Sequence, residues 1–357
     1  MSEPLIRRYR PEDKPAIIRL YGDVRGAPMT ADEIRLWEWQ FEENPFHPPD
    51  GLLYWVMDDD GGLAGQMATM PFRLQLEGRE FPSAWGVDLM VAPESRGRGL
   101  ALRFLMTWTD RLQVTLGKGI ADAAYHLATA RLSWRDIGPT HRHVKLLNPQ
   151  RALEGEFAHP VVGKMGGMAG AVFDRMLTRR RSGPSGSVEV RDPAVFGPDQ
   201  NQLWERICGA FAMAPIRDEA YLTWRYARHP FHRYRAILSR DGNRLTGCVV
   251  IRSFTDRKER RVAQVLELLA HPDDEETLDA LVAHTVRLLQ GEDTDYMVAM
   301  VTDRGLSKRL ARYGFLRRRA PETRLIGEFG RLTVSPSRVL SAENWLITLG
   351  DADTVVT

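Results

Sequence analysis

Two patterns alternate along this 357-residue chain: apolar positions at helical spacing, and short apolar runs bounded by turn residues. Lys14–Gly22 and Thr30–Glu42 read as helices, with Thr30 as the N-cap of the second. Strands are expected near Leu52–Asp58, Gly65–Leu76 and Ala84–Val91. Leu102, Leu105, Met106 and Leu112 recur at helical intervals, so the spacing predicts a helix over Gly99–Leu116. The order is helix, strands, central strand, helix, then strand, helix and strand.

That order occurs twice. Trp39-Gln40-Phe41-Glu42-Glu43-Asn44-Pro45-Phe46-His47 returns as Trp224-Arg225-Tyr226-Ala227-Arg228-His229-Pro230-Phe231-His232. Leu63-Ala64-Gly65 matches Leu245-Thr246-Gly247, each after a polar turn (Asp58–Gly62, Asp241–Arg244) that closes a hairpin. Val87–Glu94 matches Leu266–Asp273: an apolar strand with an acid in second place, ending in proline and another acid. Leu132-Ser133-Trp134 stands where Tyr313-Gly314-Phe315 stands later. The offsets are 185, 182, 179 and 181, collinear with small changes in loop length, which is a duplication. The expected division is residues 1–160, a helix and linker over 161–187, and 188–357, ending in a tail that packs through Trp345. The repeated aromatic residues Trp39, Phe41, Trp224 and Tyr226 read as core packing, with a sugar-stacking platform as the alternative.

Composition narrows the function classes. Lys and Arg number 49 against 47 Asp and Glu, so the basic excess of a nucleic-acid binder is missing. Two distant cysteines, Cys208 and Cys248, fit a reducing cytoplasm. Arg7, Arg8 and Arg10 interrupt the N-terminus, which lacks the apolar stretch of a secretory signal. No run of about 18 apolar residues occurs, so no transmembrane helix is expected. Gly163–Leu177, apolar and followed by Arg179-Arg180-Arg181, reads as a packed helix; reversible contact with a membrane surface is the alternative. His141 and His143 are two apart without an evident third ligand, so no metal is expected. No Gly-x-Ser-x-Gly or Cys/His nucleophile arrangement stands out, so no covalent enzyme intermediate is expected.

The chemistry concentrates in one turn. The strand Val87–Val91 runs through Pro93-Glu94-Ser95 into Arg96-Gly97-Arg98-Gly99-Leu100-Ala101 and then into a helix. Such a turn aims main-chain N–H groups and the positive end of the helix dipole at one point. Glycine admits positive φ and lets a pyrophosphate approach the backbone closely.

These residues resemble the pyrophosphate motif of the GNAT superfamily of acyl-CoA N-acyltransferases, Gln/Arg-x-x-Gly-x-Gly/Ala, with Arg96, Gly99 and Ala101 in the three defining positions. The resemblance implies an α/β (α+β) fold of two tandem GNAT-like domains, each with a mixed, mainly antiparallel central sheet flanked by helices. It implies acetyl-CoA or another acyl-CoA as co-substrate, with Arg96, Gly97, Arg98, Gly99, Leu100 and Ala101 around the pyrophosphate. The pantetheine arm would pair with Val87–Val91, and the thioester carbonyl would meet an N–H near Met90 or Val91. Asp122 stands where related helices carry an asparagine that contacts the cofactor. The Trp-Arg-Tyr…His-Pro-Phe segment and the Trp-x-x-x-x-Gly-Asp tail resemble tandem GNAT proteins associated with bacterial exopolysaccharide biosynthesis. An amino sugar of a polysaccharide precursor is therefore one candidate for the amine acceptor.

Asp88 is the expected general base, facing away from Val87 and Leu89 by strand alternation. A structural acid is the alternative, because Glu267 holds the same place in the second half. GNAT proteins often carry a tyrosine acid four residues before a Gly-Phe pair; Thr129 stands there, and Tyr125 and His126 are the substitutes. In the second half Asp273-Asp274-Glu275-Glu276-Thr277-Leu278-Asp279 replaces the glycine turn, and its carboxylates would repel a pyrophosphate by about 1 kcal/mol per close pair. Two other readings remain open: a Fem-type aminoacyl transferase, which shares the tandem architecture but does not need the Arg96–Ala101 turn, and a non-catalytic interaction protein that binds acyl-CoA.

Overall fold

The computed structural model describes residues 5–59, 62–109, 111–154, 187–319, 323–330, 332 and 335–352. The expected helix Gly163–Leu177 and the basic run Arg179–Arg181 lie outside these residues. The first half contains strands β1 (Leu5–Arg8), β2 (Tyr54–Asp59), β3 (Gly62–Leu76), β4 (Arg79–Val91), β5 (Val114–Lys118), β6 (Arg135–Thr140) and β7 (Arg142–Leu146). Its helices are α1 (Lys14–Arg25), α2 (Ala31–Trp37), α3 (Leu100–Thr109), α4 (Asp122–Arg131) and α5 (Pro149–Glu154). The second half adds β8 (Ser187–Arg191), β9 (Met213–Pro215), β10 (Arg235–Asp241) and β11 (Arg244–Thr255). It continues with β12 (Arg261–Leu269), β13 (Tyr296–Met300), β14 (Leu316–Arg317) and β15 (Thr323–Glu328).

The chain forms two compact units. Unit 1 comprises residues 1–138, 229–231 and 323–340; unit 2 comprises 139–228, 232–322 and 341–357. Their sheets run β1-β2-β3-β4-β5-β15-β6 and β8-β10-β11-β12-β13-β7-β14. In each sheet one pair is parallel, β4–β5 and β12–β13, and its neighbours are antiparallel. These are the mixed sheets, flanked by helices, that the resemblance implied. Each sheet also borrows a strand: β15, from the second half of the chain, lies between β5 and β6, and β7, from the first half, lies between β13 and β14.

Local chemistry explains several elements. The Thr30 hydroxyl accepts from Glu33 N at 3.2 Å while the Glu33 carboxylate accepts from Thr30 N at 2.7 Å, a reciprocal cap that starts α2. The repeated aromatic segments form π-helical turns at Glu38–Glu42 and Thr223–Ala227. Trp39, Phe41, Trp224 and Tyr226 are all buried there, so the repeat preserves packing rather than a surface platform. The tail is anchored as expected, with Trp345 fully buried.

One boundary differs from the sequence reading. The predicted helix Gly99–Leu116 stops at Thr109, and Val114–Leu116 belongs to β5. β5 is buried at all five positions, so it shows no period-two alternation and its apolar residues prolong the helical pattern. Its β-branched Val114 and Thr115 favour the strand.

Among the described residues no helix is long and apolar enough to cross a membrane, and Cys208 and Cys248 are free thiols.

His47, at the end of the first repeated segment, accepts a hydrogen bond from Leu53 N through Nδ1 at 3.0 Å and is therefore neutral. Burial lowers its pKa from 6.5 to about 4. An unfolded-chain histidine thus binds more protons than folded His47 between about pH 4 and 6.5, so folding stability falls as pH drops through that window. The contribution is at most roughly 3 kcal/mol. Urea unfolding at about pH 7 and about pH 4.5 should show a smaller loss of stability on acidification in His47→Asn than in the wild type; equal losses would contradict this assignment.

Candidate active site

The central feature of unit 1 is a parallel strand pair that stops halfway. β4 pairs with β5 from Ser83↔Val114 to Trp85↔Leu116 and no further. On its other edge β4 pairs with β3, Gln66 opposite Met90 and Ala68 opposite Val87, so Asp88 and Leu89 together face Met67. This β-bulge bends β4 and increases its twist where pairing with β5 ends. Asp88 takes φ +47° there, a left-handed conformation that costs an L-residue roughly 1–2 kcal/mol and that aspartate tolerates better than most.

The bulge sends two neighbours in different directions. Leu89 and Val91 pack against the core cluster that contains Phe104 and Trp108 of α3. Asp88 turns toward α1, where the Tyr21 hydroxyl donates to its carboxylate at 2.5 Å. Tyr21 is 1% exposed. Burial, reinforced by the Asp88 charge, holds its phenol well above the usual range. Asp88 itself is only partly buried. Sequence reasoning missed Tyr21, since nothing local links it to an acid 67 positions away.

Beyond β4 a 3₁₀ turn at Pro93–Ser95 leads into the glycine turn. Gly97 and Gly99 have φ of 80° and 75°, and a Cβ at either would meet nothing within 4 Å. Glycine is needed here for backbone conformation, not for lack of space. The first bond of α3 runs from Arg103 N to Gly99 O at 3.4 Å. The N–H groups of Leu100, Ala101 and Leu102 consequently have no partner inside the helix, the usual basis of an anion site. Leu100 is buried and anchors the turn. Arg98 forms an ion pair with Asp59 at 2.5 Å, and Arg96 Nε donates to Val91 O at 3.4 Å.

α4 carries the remaining candidates. Tyr125 donates to Asp136 at 2.9 Å, and Asp136 is also paired with Arg324. The bond to Asp136, with some help from burial, raises the Tyr125 pKa, so the phenol stays protonated. Thr129 donates back to the Tyr125 carbonyl at 2.8 Å, and His126 and Asp122 are exposed. Asp88 and Tyr125 therefore attend to different partners, Tyr21 and Asp136.

Unit 2 repeats the scaffold and fills it. β12 pairs with β13 only over Val262–Val265, and its register against β11 slips beside Glu267. Past that point the protein's own tail bridges the two strands. Gly350 N donates to Leu266 O at 3.2 Å, Thr302 N donates to Ile347 O at 3.0 Å, and Thr348 pairs with Val301. Glu267, the counterpart of Asp88, accepts from Tyr226 at 2.6 Å and from Thr348 at 3.1 Å. Arg217 lies 3.0 Å from Glu267 and 2.6 Å from Asp351, all three with fully buried side chains. Buried Arg225 holds the tail carbonyls of Gly350 and Ala352 at 3.0 and 2.6 Å. A Cβ on Gly350 would collide with the Tyr226 hydroxyl, so the tail sits there only as glycine. The helix that follows, Glu275–Gly291, is capped by Asp274, which accepts from Thr277 N at 3.0 Å. Among the described residues no cluster of three or more His, Cys, Asp or Glu side chains is placed to hold a metal ion.

This architecture is the GNAT fold, and comparison with known proteins agrees. Residues 5–115, which include the bulge, the glycine turn and α3, match the family described as Acetyltransferase (GNAT) domain. A probable N-acyltransferase from Enterococcus faecalis V583 superposes with a TM-score of 0.63 at 11% identity, covering 96% of this chain and 74% of that one. A GCN5-related N-acetyltransferase from Kribbella flavida gives 0.61 at 16%, covering 91% and 70%. Saccharomyces cerevisiae N-myristoyltransferase with bound myristoyl-CoA gives 0.57 at 13%, covering 92% and 82%. At these identities the likeness establishes the fold. No curated protein matches the chain.

The buried network of unit 2 makes a direct prediction. Arg217→Leu leaves Glu267 and Asp351 without their shared cation and should cost about 3–5 kcal/mol in urea unfolding of the full chain. A loss below about 1 kcal/mol would show that the carboxylates find other partners.

Proposed function

We propose that the protein transfers an acyl group from acyl-CoA to an amine, with unit 1 as the acyl-CoA-binding half. The observation that carries this reading is the bulged β4 leading directly into an uncapped helix start through Gly97 and Gly99. In this reading the N–H groups of Gly97–Ala101, with Arg96 and Arg98, hold the pyrophosphate, and Asp122 contacts the cofactor. The β4 edge at Met90 and Val91 receives the pantetheine arm and the thioester. Acetyl-CoA is the candidate donor, and an amino sugar of a polysaccharide precursor is the candidate acceptor.

The reaction is a direct displacement. The neutral amine attacks the thioester carbonyl, a C–N bond forms, and a main-chain N–H near Met90 or Val91 stabilises the oxyanion. The amine proton passes to Asp88, directly or through a water, and collapse of the intermediate breaks the C–S bond. Tyr125, held protonated by Asp136, is the proton donor to the thiolate in this scheme, with His126 as its exposed neighbour. Unit 2 serves as scaffold, because its own tail bridges the equivalent strands.

A second reading has support in the same geometry: Asp88 and Tyr125 are both engaged by structural partners, which suits a protein that binds acyl-CoA without turning it over.

Calorimetry with acetyl-CoA and longer acyl-CoAs, followed by thiol release over an amine panel that includes glucosamine, separates the two. Gly99→Ala and Gly99→Glu impose the same left-handed strain of about 1 kcal/mol, but only the glutamate adds a repelling charge. Gly99→Glu should lose at least about tenfold in acyl-CoA affinity relative to Gly99→Ala; equal affinities would overturn the cofactor placement. Asp88→Asn should keep acyl-CoA affinity and lower transfer by about 10²–10⁴-fold. Saturable binding without thiol release from any amine would favour the second reading.

A further inference from the structure

Unit 2 contains a cleft of about 220 Å³ whose charged lining residues are mostly basic. One wall is the helix Arg304–Arg312, on which Arg304, Ser307 and Lys308 share a face at i, i+3 and i+4. The opposite wall is formed by β7 and β14, where Arg317 is the direct antiparallel partner of His143, so their side chains share a face of the sheet. His141 lines the same cleft, with Nδ1 at 3.1 Å from Arg318 O. Glu343 is the one carboxylate among the lining residues.

The charges are unbalanced. Arg304, Lys308 and Arg317 set three cations against Glu343, and none of the three has an ion-pair partner among the described residues. On the same helix Arg309 and Arg312 are paired, with Glu275 and Asp279, so carboxylates are supplied to its other cations and withheld from these. Asp303 caps the helix by accepting from Leu306 N at 2.9 Å, so the cleft's positive character comes from side chains rather than from free helix N–H groups.

His143 adds no charge to the cleft. It is 2% exposed, its Nε2 lies 2.8 Å from the Ser307 hydroxyl, and its buried Nδ1 has no hydrogen-bond partner. Burial first, then Arg317 and His141, lowers its pKa to about 4, so it is neutral near pH 7. The neutral ring and the Ser307 hydroxyl thus give the cleft a polar but uncharged contact between its cations.

We propose that this cleft binds a phosphoryl dianion, either inorganic phosphate or the phosphate end of a small phosphorylated metabolite. The net charge of three cations and one carboxylate matches the roughly −1.5 to −2 of a phosphate monoester near neutral pH. Two guanidinium forks and an ammonium approach from two elements, the helix and β14, which suits a tetrahedral group of several oxygens better than a planar carboxylate. The volume exceeds that of a lone water several-fold, leaving room for a small organic body.

Calorimetry on the full chain carrying Gly99→Glu, titrated with inorganic phosphate, glucose 1-phosphate and succinate at matched ionic strength, tests the assignment apart from the acyl-CoA site. Saturable binding of phosphate or glucose 1-phosphate, weakened about tenfold or more by Arg317→Gln or Arg304→Gln, is the expected result. Tighter binding of glucose 1-phosphate identifies a phosphorylated metabolite, and equal binding identifies free phosphate. Succinate binding more tightly than both phosphates, no saturable heat from either phosphate, or affinities unchanged in both variants would overturn it. Arg304 and Arg317 are exposed, so both variants retain the fold, checked by circular dichroism.

Discussion

The interruption of one parallel strand pair governs the chemistry available to each unit. Main-chain hydrogen bonds between β4 and β5, and between β12 and β13, end after a few residues because a bulge bends the central strand. Backbone donors and acceptors past that point need other partners. In unit 2 the tail around Thr348–Gly350 supplies them, and a buried set of two arginines and two carboxylates fixes it in place. In unit 1 the same strand leads instead to Gly97 and Gly99 and an uncapped helix.

The two halves diverge through a few residues on a shared frame. Asp88 and Glu267 each stand at an irregularity of the central strand, and each accepts from a tyrosine, Tyr21 on α1 and Tyr226 in the repeated aromatic segment. The longer glutamate is fully buried and meets Arg217, whereas Asp88 keeps part of its surface. Glycine at the helix start leaves amides available, while Asp274 in the second half satisfies one of them and surrounds the rest with negative charge.

Much of this was legible in the residues. The collinear repeat disclosed two similar sheets, Thr30 marked the start of α2, and the Arg96–Ala101 turn was visible as a strand-to-helix junction. What escaped was long-range. No local pattern says that β7 and β15 pair in the sheet of the other half. Fully buried β5 resembled more helix because burial on both faces erases alternation. The Tyr21–Asp88 and Arg217–Asp351 contacts span 67 and 134 positions, and pattern reading has no reach over such distances.

The exchanged strands bear on how the chain is made. During synthesis β5 leaves the ribosome with Lys118, but the strand that covers its edge, β15, begins at Thr323. Throughout the intervening elongation a nascent first half presents a fully buried-type strand with an unprotected edge, a template for wrong pairing. The two halves are mutually dependent: cutting between them strips one strand from the interior of each sheet.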